Sequence, residues 1–328
     1  MLALIGMLAR AQDPFATVLD GRTDDLVAVV VEQHGSIVWQ HRERDGVTRG
    51  SRRRADPALH DIRSAGKSLT ALAVGAAIAD GKLGSVDVPV WPMLGAVLEP
   101  DDRRADITVR DLLTMSSGLD CDDGRRTPGN EERMYRRRVW RDFALRIPPT
   151  KIDTRGTFAY CTAGVFLLGQ VVQDAVGEPF DAYVQRRILG PLGIERAVWR
   201  RSRSGEVQSG GQLELAPEDL AKLGRMVLDH GTWSGEEVVP RAWISEMLTP
   251  RPIGPGVSYG YLWWFRGFRT PDGPTGGAYM SGNGGNLVVL LPEHDAVVVV
   301  QSAAYNEPDA HQRSFELVEA VLAALPRP

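Results

Sequence analysis

The β-rich runs of this chain sit at its two ends, with a helical middle between them. Leu26–Val31 and Ile37–Gln40 are rich in valine and isoleucine and are joined across His34-Gly35, which reads as a hairpin. The last third holds "YGYLWWF" (259–265), "GNLVVLLP" and "DAVVVVQSA", and the turn "PEHD" joins the last two into a second hairpin. Strands so far apart in sequence cannot form an alternating βαβ array. They point to an α+β fold: an antiparallel sheet built from both chain ends, flanked by helices, with a helical insertion. Residues 1–84 and 241–328 are expected to form a discontinuous sheet domain, and residues 85–240 a mainly helical one.

Helix signals support this order. Ser64 to Asp80 carries Leu69, Leu72, Ala73 and Ala76 at helical spacing before the stop Gly81. Thr108 caps a short helix within "TVRDLLTMSSGLD", and Thr162–Ala175 is a strongly apolar helix ending at Gly177. "EPFDAYVQRRILGPLGI" holds another short helix. Further helices are expected from Pro217 to the stop Gly231, over Pro240–Leu248 and over Glu316–Leu325.

Composition narrows the function classes. The net charge of −4 gives no global field to attract nucleic acid. No run approaches about 18 apolar residues, so no membrane span is expected. The start "MLALIGMLARAQDP" contains Ala9-Arg10-Ala11, which fits a signal cleavage site, but lacks a basic leader; a signal remnant and an ordinary helix both remain open, and with them the compartment. Cys121 and Cys161 form no C-x-x-C pair and no metal cluster accompanies them; one disulfide or two buried thiols are both open. The sequence calls for no metal and no cofactor, and leaves the oligomeric state undetermined.

One stretch carries chemistry. "DIRSAGKSLTALAVGAAIADG" (61–81) contains Gly66-Lys67-Ser68, the tail of a phosphate-binding loop. That loop needs a glycine at its first position and a buried strand feeding it. Here Asp61 occupies the position, where its carboxylate repels phosphate, and "RRRADPALHD" is no buried strand. The same residues also give Ser64-Ala65-Gly66-Lys67. At a helix start, residues three apart share a face, so Ser64 and Lys67 stand side by side. A lysine there can take the serine proton, and its ammonium can stabilise an alkoxide. A G-x-S-x-G elbow is excluded because Ile62 stands two residues before Ser64.

With this pair come "ITVRDLLTMSSGLD", "FAYCTAGVFLLGQVV", "GGQLELAPEDLAKLGRMVL" and "SGNGGNLVVLLPEHDAVVVV", in that order. From about residue 25 to its end the chain resembles the serine β-lactamase and penicillin-binding-protein superfamily, in particular its class C-like hydrolases and esterases. The resemblance implies a β-lactamase-like fold and hydrolysis of an ester or amide through an acyl-enzyme on Ser64. It implies that the Tyr160 hydroxyl lies between Ser64 and Lys67, with Tyr160 and Lys67 acting as one proton relay. The loop Gly282-Asn283-Gly284 then faces the substrate, and the N–H groups of Ser64 and Asn283 form the oxyanion hole.

The chain departs from the family pattern twice. Thr162 stands where a Y-x-N element has asparagine, so an amide donor-acceptor pair is lost. The third element, usually K-T-G, reads "YMSGNGGN" with no lysine, and the four lysines of the chain (67, 82, 151, 222) all lie elsewhere. Without that cation, penicillin hydrolysis loses ground to ester or small-amide hydrolysis, as in the 6-aminohexanoate-dimer hydrolase group. β-Lactamase or D,D-peptidase activity, and a non-catalytic ligand- or peptidoglycan-binding module, stay open as alternatives. "ERMYRRRVWRD" (132–142) reads as a solvated, internally paired surface and not as a nucleic-acid patch. The "YGYLWWF" aromatics serve either a pocket wall or the core.

Overall fold

The computed structural model describes residues 14–22, 24–43, 56 and 58–325; the N-terminal cleavage motif and most of the arginine-rich loop before Leu59 lie outside them. Its main element is an antiparallel sheet of strands β1 (Leu26–Gln33), β2 (Ser36–Arg42), β3 (Arg251–Gly254), β4 (Val257–Tyr259), β5 (Trp264–Thr270), β6 (Gly273–Gly282), β7 (Asn286–Leu291) and β8 (Ala296–Ser302). They lie in the order β2-β1-β8-β7-β6-β5-β4-β3. The two chain ends meet at β1 and β8, where Val29 faces Val300 and Val31 faces Val298.

The continuous valine runs follow from burial on both faces. Side chains alternate across a strand. Val30, Val288, Leu290, Val297 and Val299 join the core on one face, and Val29, Val31, Leu287, Val289, Val298 and Val300 join the core on the other. The first face carries helix α1 (Lys67–Ala79) with helix α2 (Thr162–Val176) packed against α1, and helix α3 (Pro217–Leu228) directly on the strands; the second packs helix α4 (Ala310–Ala324). Burying each such side chain contributes roughly 1.5–3 kcal/mol. Helix α3 follows the helical middle in sequence but lies on the sheet. It is fixed there by Arg225, which bonds Glu32 of β1, and by the close approach of Gly224 to Val297.

Helix α1 is the hub. Every residue from Lys67 to Ala77 is buried, which matches a helix apolar nearly all round. Gly75 lets the Trp243 ring lie against the helix: a Cβ there would stand 2.2 Å from that ring. Trp243 Nε1 donates to the Ala71 carbonyl at 3.1 Å.

Several sequence expectations shift. The α-helix begins at Lys67, and Ser64 sits on a preceding 3-10 turn, Arg63–Gly66, entered with Arg63 at φ +54°. "YGYLWWF" is no single strand: the chain turns between Tyr259 and Trp264, with Leu262 at φ +59°. The Tyr261 and Leu262 N–H groups bond to the carbonyls of Met247 and Leu113, which pulls this apolar run into the core. The terminal helix starts at Ala310, six residues before the expected Glu316. The short helix after Pro179 runs from Phe180 to Val184 and continues as a π turn over Gln185–Leu189. The Thr108 cap forms as a full capping box with Asp111. Among the described residues, no helix is long and apolar enough to cross a membrane.

Candidate active site

Ser64 and Lys67 meet as their spacing requires. Lys67 Nζ donates to Ser64 Oγ at 3.0 Å and to the Gly210 carbonyl at 2.6 Å. Lys67 is 1% exposed, whereas Ser64 is half-buried. The ammonium is therefore walled off while the hydroxyl it touches is reachable. Gly210 is drawn in by a hydrogen bond from its N–H to Gln208 Oε1, and Gly211, at φ +132°, packs against the backbone of Arg63 and Ser64.

Tyr160 comes in from the segment before α2. Lys67 Nζ lies 4.9 Å from the Tyr160 ring centroid. The Tyr160 ring thus borders the lysine, and its hydroxyl makes no hydrogen bond to the described residues. Contacts of this kind commonly tighten only when substrate is bound. Trp264 stacks on Tyr160 at 5.9 Å, and Tyr259 and Phe158 extend this aromatic wall. Of the aromatic run, Trp264 lines the site, while Tyr261 and Trp263 belong to the core.

Cys121 and Cys161 are joined in a disulfide, which decides between the two states the sequence left open. The bond ties the 121–123 segment to the residue between Tyr160 and Thr162. It brings in Asp123, a residue outside the sequence-predicted site. The Asp123 carboxylate accepts the Thr162 N–H at 2.7 Å and the Glu131 N–H at 2.8 Å, and its own N–H donates to the Tyr160 carbonyl at 2.8 Å. Burial pushes its carboxyl above the ordinary range, nearby Glu131 adds to this, and the Lys67 charge with the Thr162 hydrogen bonding opposes it. The Thr162 hydroxyl is buried beside this carboxylate without a well-aligned hydrogen bond. A carboxylate from another loop thus stands near the lysine where the family pattern leads one to expect an asparagine amide. The signal that could have found Asp123 is its position two residues after Cys121, given that Cys161 adjoins Tyr160.

The glycine-rich element borders the serine from the sheet side. Gly282 ends β6 against the Ser64 turn: a Cβ there would stand 2.0 Å from the Ile62 carbonyl oxygen and 3.1 Å from the Ala65 nitrogen. Gly284, at φ +89°, turns the chain against the Tyr305 ring. Asn283 between them is exposed, and its backbone N–H has no partner among the described residues, as an oxyanion donor requires. Its side chain is clamped: Asn283 Nδ2 donates to Asn306 Oδ1 at 2.7 Å, and the Asn306 N–H donates to Asn283 Oδ1 at 2.8 Å. Asn286 Nδ2 holds the Asn283 carbonyl at 2.9 Å.

Two histidines are tied to this element. His60 is buried and shares hydrogen bonds with the Ser302 carbonyl and the Tyr305 hydroxyl. His311 hydrogen-bonds to the Gly282 backbone, and its burial lowers its proton affinity. Both support the glycine-rich element from behind.

Known proteins resemble this chain in sequence and in fold. The sequence model of the beta-lactamase family matches residues 19–322. The 6-aminohexanoate-dimer hydrolase of Paenarthrobacter ureafaciens is 26% identical over 275 residues, which cover 76% of this chain and 67% of that protein. Among solved structures, a penicillin-binding protein from Bacillus halodurans aligns with a TM-score of 0.71 at 20% identity, covering 93% of this chain and 98% of that one. A D-stereospecific amidohydrolase from Streptomyces sp. aligns with a TM-score of 0.70 at 18% identity, covering 97% of this chain and 100% of that one. With a family match across nearly its whole described length and a β-lactamase-like α+β fold, the chain belongs to the beta-lactamase family of serine hydrolases.

Proposed function

We propose that this enzyme hydrolyses a small ester or amide through an acyl-enzyme on Ser64. The observation that carries the assignment is the 3.0 Å hydrogen bond from the buried Lys67 ammonium to the reachable Ser64 hydroxyl. Ser64 Oγ attacks the scissile carbonyl while its proton passes to the Lys67–Tyr160 relay. The oxyanion is held by the N–H groups of Ser64 and Asn283, in the loop Gly282-Asn283-Gly284. The relay then protonates the departing alcohol or amine as the carbonyl–heteroatom bond breaks. In the second half, water gives its proton to the relay, attacks the acyl carbonyl and releases the acid, and Ser64 regains its proton.

The substrate class rests on what the third element lacks. "MSGN" carries no lysine to hold the carboxylate of a β-lactam or cell-wall peptide. The similarity to a protein named 6-aminohexanoate-dimer hydrolase, and to a D-stereospecific amidohydrolase fold, supports amides beside esters. The disulfide between Cys121 and Cys161 favours an oxidising compartment.

Intact-mass measurement after exposure to a panel of p-nitrophenyl esters, small amides and β-lactams tests the assignment. The expected result is an acyl adduct on the peptide carrying Ser64, with turnover fastest for esters and small amides. Equal turnover by wild type and Ser64→Ala across the panel would refute it.

A further inference from the structure

Of the eight arginines between residues 121 and 146, only two have carboxylate partners among the described residues: Arg125 with Asp122, and Arg141 with Asp174. Elsewhere, arginines such as Arg110, Arg186, Arg225 and Arg269 have them. The internally paired surface expected for this stretch is absent. An open groove of about 720 Å³ runs along it, lined by Arg125, Arg126, Arg133 and Arg136 against two carboxylates, Asp123 and Glu132. Asp123 is spoken for by the Thr162 and Glu131 N–H groups. Arg126, Arg133 and Arg136 keep uncompensated guanidinium groups, whose fork geometry suits a carboxylate.

The groove shares a wall with the reactive cluster. Asp123 lines it, and the same residue bonds the Tyr160 carbonyl and the Thr162 N–H. The chain thus lacks a cation in its glycine-rich element and carries a surplus of cations along the opposite wall. We propose that this arginine groove binds a carboxylate at the far end of the substrate, several bonds from the scissile carbonyl. The inference rests on the hydrolase reading of Ser64 and specifies its substrates as esters or amides with an anionic tail. Spacing is part of it: Asp123 stands between the relay and the arginines, so a carboxylate adjacent to the scissile carbonyl falls short of them.

Two esters of equal chain length decide the matter: p-nitrophenyl hexanoate and p-nitrophenyl hydrogen adipate, which differ only in the terminal carboxylate. Wild type is expected to favour the adipate in kcat/KM by roughly fivefold to tenfold at low salt, the range of a few exposed ion pairs. Added sodium chloride erodes the preference. The double variant Arg133→Gln/Arg136→Gln brings the adipate down to the hexanoate rate and leaves hexanoate unchanged, while Arg133→Lys/Arg136→Lys keeps most of the preference. Equal rates in wild type, a preference that survives the glutamine variant, or a parallel fall of both esters would each overturn the proposal. So would retention on heparin that the glutamine variant weakens with no ester preference, because the patch would then serve polyanions and not substrate. Hexanoate turnover that vanishes in Ser64→Ala supports the hydrolase reading separately. If that turnover did not depend on Ser64, the hydrolase reading would fall, while the arginine dependence of the adipate preference would still score the groove.

Discussion

Two buried cations divide the labour in this molecule. Arg225, on the helix that covers the sheet, is matched on every side: Nε bonds Glu32 at 2.8 Å, Nη1 bonds Asp295 at 2.6 Å and Asp229 at 3.2 Å, and Nη2 bonds the Asp295 carbonyl at 2.8 Å. Burial pulls the guanidinium toward losing its proton, but the hydrogen bonds it donates to Asp295 and Glu32 more than offset this. Lys67 is at least as buried, yet its bonded partners are neutral: a serine hydroxyl and a backbone carbonyl. A carboxylate that feels its charge, Asp123, is occupied by backbone N–H groups. A cation that only holds elements together can be fully neutralised. A cation that must exchange a proton with a hydroxyl is better left facing that hydroxyl, with its counter-charge set back.

That contrast breaks most visibly on substitution of the lysine. Lys67→Met should cut kcat/KM on the order of 10³-fold or more, the scale of losing a positioned proton carrier. The urea midpoint should barely move, since a methionine of similar shape fills the site and no carboxylate loses a bonded partner. Steady-state rates and urea melts on the same preparation separate the two readouts. Arg225→Met should do the reverse. Stranding Glu32 and Asp295 should cost about 3–5 kcal/mol of folding free energy. The protein that remains folded should turn over ester at the wild-type rate per active site, counted by fluorophosphonate titration. Adding Glu32→Gln should restore part of the loss. An Arg225→Met protein with intact stability would mean that the cluster holds nothing together.

The sequence exposed one side of this contrast better than the other. Ser64 and Lys67 were legible because helical geometry alone joins residues three apart. Tyr160 and the glycine-rich loop needed the family pattern, since no local rule links them to Ser64. Asp123 was legible only through its place two residues after Cys121: its role depends on a disulfide and on two backbone N–H groups in separate segments. Arg225 carries no signal of its own within the helix expected from Pro217, and its partners Glu32 and Asp295 come from segments at the two chain ends. The sheet was readable as valine-rich runs, but "YGYLWWF" misled as a strand because its kink is held by the carbonyls of Met247 and Leu113, outside the run itself.

Asp123 sharpens the contrast, because it tests how far the set-back counter-charge matters. Asp123→Asn removes a negative charge felt by Lys67. If Lys67 and Tyr160 form the proposed relay, its proton loss becomes easier, so the acid limb of the kcat/KM profile should move to lower pH. The plateau should fall roughly tenfold, as when a group that orients a reactive one is altered. Burial already makes the Asp123 carboxyl take up a proton at higher pH than an ordinary carboxylate. Wild type should therefore lose its counter-charge first as the pH falls, and the two profiles should converge at the acid end. Parallel profiles with an unmoved limb would reduce Asp123 to a loop anchor.

The smallest effect is expected on the oxyanion side, where neutral groups do the positioning. Asn306 touches no reacting atom in the proposed mechanism; it holds the Asn283 side chain by two hydrogen bonds and so fixes where the free Asn283 N–H points. Asn306 sits at φ +67°, so alanine there would add backbone strain to the loss of the side chain. Asn306→Gly removes only the side chain. It should lower kcat by about fivefold, the worth of roughly one net hydrogen bond, with KM unchanged, because an oxyanion exists only beyond the ground state. Asn306→Asp keeps an acceptor for Asn283 Nδ2 and should recover most of the rate. A rise in KM at constant kcat would instead make this loop a substrate-binding surface, and would move the oxyanion donor away from Asn283.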